Sequence, residues 1–358
     1  MIGILGYHGF VGKTVLNYLS NQYLIRCGGR QIQEEKITKG IEYVKVDVDD
    51  TNSLKNFCQG CDVIINCIGP SYFFAEKILG VVEKVGAAYI DAFGVNLFSM
   101  RKAYTIPVVV GAGSFPGLSG MLPAWIKQNK NLEPEKIKIF AGGKERITQT
   151  ACIDFLSSII NRFGKSGIYY TAQGLKNENG MVTLPEVFSR NEIGVSYLTE
   201  ELIQAAYENK VKELHWYSVQ SYSKYNEVMA EAIIHLMKDS SYENMKRISN
   251  SIIQNMTTNT SVDDLKYRIV IEVQNDKKFL LERYVWETDD SYVINGAIAA
   301  YCAKKLYEER YENGIFWPFQ ILNAFETVEK LVKNNVLKVR QFQSESVLGE
   351  NELEDEEI

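Results

Sequence analysis

Twelve residues restrict the fold of this chain more than any other stretch. Met1-Ile-Gly-Ile-Leu-Gly-Tyr-His-Gly-Phe-Val-Gly12 reads as a buried strand, then Gly6-x-x-Gly9-x-x-Gly12, then a helix over 13–19. Each glycine has a separate task in such a junction. Gly6 permits the sharp turn, Gly9 lets backbone amides approach a diphosphate, and Gly12 lets the helix lie close on the strand. The amides of Phe10, Val11 and Gly12 then open the helix and face the phosphates. Three glycines in register mean little in a chain with 26 of them. Their position between a strand and a helix is what a dinucleotide site requires. His8 in this loop is expected to contribute its backbone rather than its ring.

The pattern continues as short apolar runs alternating with helices. Strands are expected at 23–28, 43–48, 62–68, 88–91 and 107–112, with helices at 53–58 and 73–85, the latter stopped by Gly86. Runs without polar alternation are buried on both faces, which predicts an α/β architecture with a doubly wound parallel (Rossmann) sheet over residues 1–130. From residue 136 the pattern changes. Strands at 136–141, 267–273 and 279–287, with helices at 149–162, 199–207 and 227–237, predict an inserted α+β second domain over 131–290 for substrate and dimerisation. Helices at 292–311 and 318–334 are expected to return to the first domain within 291–340, and 250–264 reads as a loop.

The 358 residues carry a net charge of −6, but the last eighteen contain seven acids and no base, so the rest of the chain stands at +1. Residues 341–358 therefore read as a solvated acidic tail, and the near-neutral remainder lacks the basic field of a nucleic-acid binder. No run approaches the length of a membrane span, and Met1 leads into a strand without a signal peptide, so a cytoplasmic protein is expected. Six scattered cysteines suit reduced thiols. Cys58-x-x-Cys61 has no second pair and no nearby histidine, and no ligand cluster predicts a metal.

The second strand ends Cys27-Gly-Gly29-Arg30, where an NAD site would carry a carboxylate for the ribose. Arg30 instead offers a charged fork suited to a 2′-phosphate, so NADP is expected over NAD, unless Glu34 or Glu35 serves the ribose. Asp47 and Val48 close the third strand beside the adenine, although Asp47 or Asp49 could instead cap the following helix.

Gly6-x-x-Gly9-x-x-Gly12, Cys27-Gly-Gly-Arg30, Asp62-Val-Ile-Ile-Asn-Cys-Ile-Gly-Pro70, Tyr89-Ile-Asp91 and Gly111-Ala-Gly-Ser-Phe-Pro-Gly-Leu118 together resemble the saccharopine dehydrogenase-like oxidoreductases, with a weaker echo at Gly314-Ile-Phe-Trp-Pro-Phe-Gln320. The resemblance implies a nicotinamide domain, an inserted substrate and dimerisation domain giving a homodimer, and redox chemistry at a C–N bond of a small amino-acid-derived molecule. Some relatives reduce a carrier-bound C=C bond instead. The lysine and histidine of the saccharopine-cleaving branch have no match here.

Ligands of open α/β sheets lie beyond the carboxyl ends of the strands, so Ile68-Gly69-Pro70, Asp91 to Gly94 and the turn at Gly113 should converge on the nicotinamide. Tyr72 is the first candidate proton donor, with Asp91 to orient a substrate amine or hold the Gly113 turn, and Lys77 at the cleft mouth. His215 reads as structural, and two Tyr-x-x-x-Lys matches, at Tyr242 and Tyr301, fall outside the nucleotide half. The expected activity is NADPH-dependent imine reduction. A trans-acting enoyl reductase and a non-catalytic NADP-binding sensor are the alternatives.

Overall fold

The computed structural model describes residues 1–344 apart from 33–38, 101–102, 131–133, 146, 181, 222–224, 258–265 and 276–278. The first stretch alternates β1 (Ile2–Leu5), α1 (Phe10–Leu19), β2 (Ile25–Gly29), β3 (Ile41–Lys45), α2 (Thr51–Cys58), β4 (Val63–Asn66), α3 (Ser71–Val85), β5 (Ala88–Asp91), α4 (Val95–Ser99), β6 (Pro107–Val109) and α5 (Leu118–Lys130). Next come β7 (Lys136–Lys144), α6 (Gln149–Ile160), β8 (Gly164–Ser166), β9 (Ile168–Thr171), β10 (Gly174–Asn177), β11 (Glu192–Thr199), α7 (Glu200–Glu208) and β12 (Glu213–Ser221). They are followed by α8 (Tyr225–Lys238), α9 (Tyr242–Thr257), β13 (Lys266–Gln274) and β14 (Leu280–Thr288). The chain closes with α10 (Ser291–Glu308), β15 (Gly314–Phe316), α11 (Pro318–Ile321), α12 (Ala324–Lys333) and β16 (Lys338–Ser344).

Seven strands form one sheet in the order β15-β6-β5-β4-β1-β2-β3, every pair parallel. The order reverses direction beside β1, which is the topological switch point where such sheets bind ligands. Every residue of β1, β4 and β5 is buried, as strands covered by helices on both faces must be. The second sheet runs β10-β9-β12-β7-β13-β14-β16, with β11 paired to β12 and β8; of its pairings only β12 with β7 is parallel. The doubly wound fold with a second, mixed-sheet part is therefore as expected.

Alternation along the second sheet decides its two faces. Ile137, Ile139, Trp216, Ile269, Ile271 and Trp286 enter the large core shared with the first sheet's helices. Phe140, Tyr217, Val219, Val270 and Val285 form a smaller core on the opposite face, covered by Phe188 with Val182, Leu184 and Val187.

Three expectations need correction. The third strand stops at Lys45, so Asp47 and Val48 lie in the turn beyond it. The first part of 250–264 is helical, because Met245, Ile248 and Ile252 on α9 bury against Cys152, Ile153 and Leu156 on α6. That apolar spacing outweighs the Ser, Thr and Asn content of the segment. Residues 338–344 neither follow the preceding helices onto the first sheet nor begin the acidic tail. They form β16, which covers the otherwise open edge of β14, with Arg340 donating to Glu287. The acids of the tail lie outside the described residues.

Candidate nucleotide site and active cleft

The opening glycines divide into two kinds. Gly6 has φ +82°, and a Cβ there would lie 2.9 Å from the Cys67 carbonyl oxygen. On Gly12 a Cβ would come within 2.3 Å of the Gly6 oxygen, so both positions exclude other residues for internal reasons. Gly9 is different. A Cβ there would meet only the Gly6 oxygen at 3.5 Å, an ordinary contact, so the space above Gly9 is open. Gly9 also caps α1 without a side-chain acceptor, so the positive end of that helix faces the open space. This cradle fits a diphosphate, and Phe10, Val11 and Gly12 are the residues positioned to bind it. Helix α10 pins α1 from behind, since a Cβ on Gly296 would lie 2.4 Å from Cβ of Thr14.

His8 does more than the sequence suggests. Its Nε2 is 2.9 Å from the Gln31 carbonyl oxygen, so the ring ties the glycine loop to the segment after β2. Buried Gly29 ends that strand, and exposed Arg30 lies in the bend just beyond it. Arg30 lies close enough to Lys246, on α9, for the two charges to oppose each other; the pKa of Lys246 is nevertheless raised, chiefly by its hydrogen bond to Glu243. Glu34 and Glu35 lie outside the described residues. Asp50, not Asp47 or Asp49, caps α2 by accepting from Asn52 N at 2.9 Å and Ser53 N at 3.3 Å. Asp47 is exposed and accepts from Asp49 N, while Val48 is buried.

Asp91 proves to be a hub beneath the turns after β4 and β5. Its Oδ1 accepts from Ser71 Oγ at 2.7 Å and Phe93 N at 2.9 Å, and its Oδ2 from Asn66 Nδ2 at 2.8 Å and Tyr89 OH at 2.6 Å. Four donors fill a carboxylate's acceptor sites. With 1% exposure, Asp91 holds the β4 and β5 turns through these bonds. Burial pushes its pKa up, against those hydrogen bonds. Gly94, at φ +54°, belongs to the same assembly, because a Cβ there would press on Asp91 at 2.7 Å. Lys77 is exposed and donates to Asp49 at 2.8 Å, apart from the Asp91 cluster. Both remaining turns contain cis prolines, at Gly69-Pro70 after Ile68 and at Phe115-Pro116 beyond Gly113. Asn295 on α10 steadies the second of these by accepting from Ser114 N at 2.7 Å.

Two carboxylates that the sequence does not single out hold helix starts here. Asp154 on α6 reaches the start of α3, where its Oδ2 accepts from Ser71 N at 2.9 Å and its Oδ1 from Tyr72 N at 3.0 Å. Glu201 on α7 does the same for α5, accepting from Gly117 N at 2.6 Å, Gly120 N at 3.1 Å and Ser119 Oγ at 2.6 Å. Burial pushes both carboxyls up to about 7, with the donated hydrogen bonds working the other way. One signal for Asp154 was available: it is the sole charged residue in the apolar run of α6. Glu201, following Thr199 and Glu200 at a helix start, looks like an ordinary first-turn acid.

Tyr72 is half-buried at the second position of α3, with its ring 5.9 Å from that of Phe93. Burial, then Tyr197 and Asp154, hold its phenol pKa well above the ordinary value, so it stays protonated and able to donate. His215 lies away from the turns after β4 and β5, buried on the second sheet with its ring nitrogens 2.6 and 2.7 Å from Glu178 and Glu213. Of the Tyr-x-x-x-Lys pairs, Tyr242 packs on Phe73 of α3 under Lys246, and Lys305 bonds Glu309. Cys58 and Cys61 are buried thiols, with burial pushing Cys58 up to about 12. Among the described residues no group of ligands could hold a metal, and no helix is long and apolar enough to cross a membrane.

Residues 2–137 match the family described as the saccharopine dehydrogenase NADP binding domain. No curated protein matches the chain in sequence. Among solved structures the fold is similar to apo saccharopine dehydrogenase (L-Glu forming) from Saccharomyces cerevisiae, with a TM-score of 0.63 at 10% identity over 96% of this chain and 99% of that one. Diaminopimelate (DAP) dehydrogenase from C. glutamicum in complex with DAP aligns over 94% of this chain and 98% of its own, at 12% identity and a TM-score of 0.45. The sequence match and the parallel strand order agree, and from that agreement we conclude that residues 2–137 form a nucleotide-binding domain of the saccharopine dehydrogenase NADP binding family.

Proposed function

We propose that this chain is an NADPH-dependent reductase acting on a C=N bond of a small amino-acid-derived substrate, held between the turns after β4, β5 and β6 and the helices α6 and α10. The observation that carries the reading is the room left above Gly9, where neither fold nor packing asks for glycine and a diphosphate does. In this reading Phe10, Val11 and Gly12 bind the diphosphate, Arg30 pairs with the 2′-phosphate, and Gly69, Pro70 and Gly113 wall the nicotinamide. The bound coenzyme supplies the hydride. The chain's own residues exclude water, orient the imine carbon and manage one proton. Tyr72 is the group that donates a hydrogen bond or proton to the substrate nitrogen, since its raised pKa keeps it in the acid form at neutral pH.

The family of residues 2–137 supports an amino-acid-derived substrate. The test is turnover: purified protein with NADPH and either a cyclic imine or a keto acid plus an amine should consume NADPH absorbance. Tyr72→Phe should lower kcat by at least about tenfold at unchanged coenzyme affinity. Calorimetry showing affinity for neither NADPH nor NADH would overturn the reading.

A further inference from the structure

We infer that Asp154 is a positioning residue through which α6 sets the nicotinamide-side turn, holding Gly69-Pro70-Ser71 and the first amides of α3 against the second part of the molecule. This rests on the reading above. Asp154 and the two amides that it binds are more than eighty residues apart in sequence, and both carboxylate oxygens are committed to that one turn. The turn is also pressed onto α6 by shape. A Cβ on Gly69 would lie 3.3 Å from Thr150 Cβ and 3.4 Å from Asp154 Oδ2. Ser71, the residue held by Asp154 through its amide, is held through its hydroxyl by Asp91, and the same hydroxyl accepts from Gly94 N at 3.1 Å. A shift of α6 would therefore move the β4 and β5 turns together.

No comparable tie from Asp154 reaches the glycine cradle or Arg30, which lie at the diphosphate and adenosine ends. The consequence is selective. Asp154 bears on how the nicotinamide half of the coenzyme is held and not on the adenosine half. Asparagine is nearly isosteric but keeps one acceptor oxygen, and its amide would point N–H at a backbone N–H.

The experiment compares calorimetric affinities for NADPH and for 2′-phospho-ADP-ribose, which lacks the nicotinamide, in the wild type, Asp154→Asn and Gly69→Ala. The wild type should bind NADPH more tightly than the fragment. Asp154→Asn should weaken NADPH by at least about tenfold and the fragment by less than about twofold, a separation that a loosened fold would not produce. Gly69→Ala should show the same selectivity with the carboxylate intact, because it pushes the turn off α6. Equal losses for both ligands, or no loss for either, overturn the role of Asp154. A wild type that binds neither ligand overturns the cofactor reading itself, and the inference with it.

Discussion

Asp154 and Glu201 are the same device used in two places. Each is a carboxylate carried by a helix outside the parallel sheet's own run of elements, and each sits on the first amides of a helix within that run. Their surroundings differ. Glu201 has 0% exposure and answers three donors, all from the segment at 117–120, where even a Cβ on Gly120 would lie 2.6 Å from it. Asp154 answers two donors, keeps some exposure, and shares its neighbourhood with Tyr72 and Tyr197. A helix-end carboxylate sealed in the core acts as a rivet. The same carboxylate with partial exposure ties one turn of the parallel sheet to a helix of the second part.

The largest effect should come from breaking the rivet. Glu201→Ala leaves two backbone amides and a hydroxyl without a partner in the core, and should cost about 3 kcal/mol or more in urea unfolding. Asp154→Asn should cost less than about 1 kcal/mol in the same measurement, because asparagine keeps one acceptor oxygen for the two amides, while lowering kcat by about thirtyfold. A loss of stability as large as that of Glu201→Ala would erase the distinction.

The two carboxyls also predict a common pH dependence. Both have folded pKa values of about 7, above those of unfolded chains at about 4, so the folded state binds more protons in between. Their stabilising contribution is complete below pH about 4 and is lost as pH rises through about 7. The melting temperature of the apo protein should thus fall between pH 5 and pH 8, with Glu201→Gln and Asp154→Asn each flattening the slope. A melting temperature that rises over that window would show that the helix amides, and not burial, dominate.

The smallest effect lies at the far end of the coenzyme, where neither cap acts. Arg30 is exposed, so Arg30→Ala should leave stability unchanged and weaken NADPH by about tenfold with little effect on NADH. Equal losses for both coenzymes would remove the 2′-phosphate assignment.

Local chemistry explains what could be read in advance. The roles of Gly6 and Gly12 follow from backbone angles and from atoms a few residues away, and the buried strands announce themselves as unbroken apolar runs. The α9 helix was misread because residue content was weighed above the spacing of Met245, Ile248 and Ile252. Asp91 stands out in the sequence, but the turns it holds are set by Asn66, Ser71 and Tyr89 arriving around it.

The amino-acid sequence alone determined the parallel sheet and its glycine cradle, because those depend on short-range sterics and on strand burial. Only the tertiary structure decided that Asp154 and Glu201 seat on α3 and α5, that His8 tethers the loop after β2, and that Asp91 holds the β4 and β5 turns. Those outcomes depend on which distant donors meet a carboxylate or ring once the chain has closed, and hydrogen bonding across more than eighty residues leaves no periodic trace in a sequence.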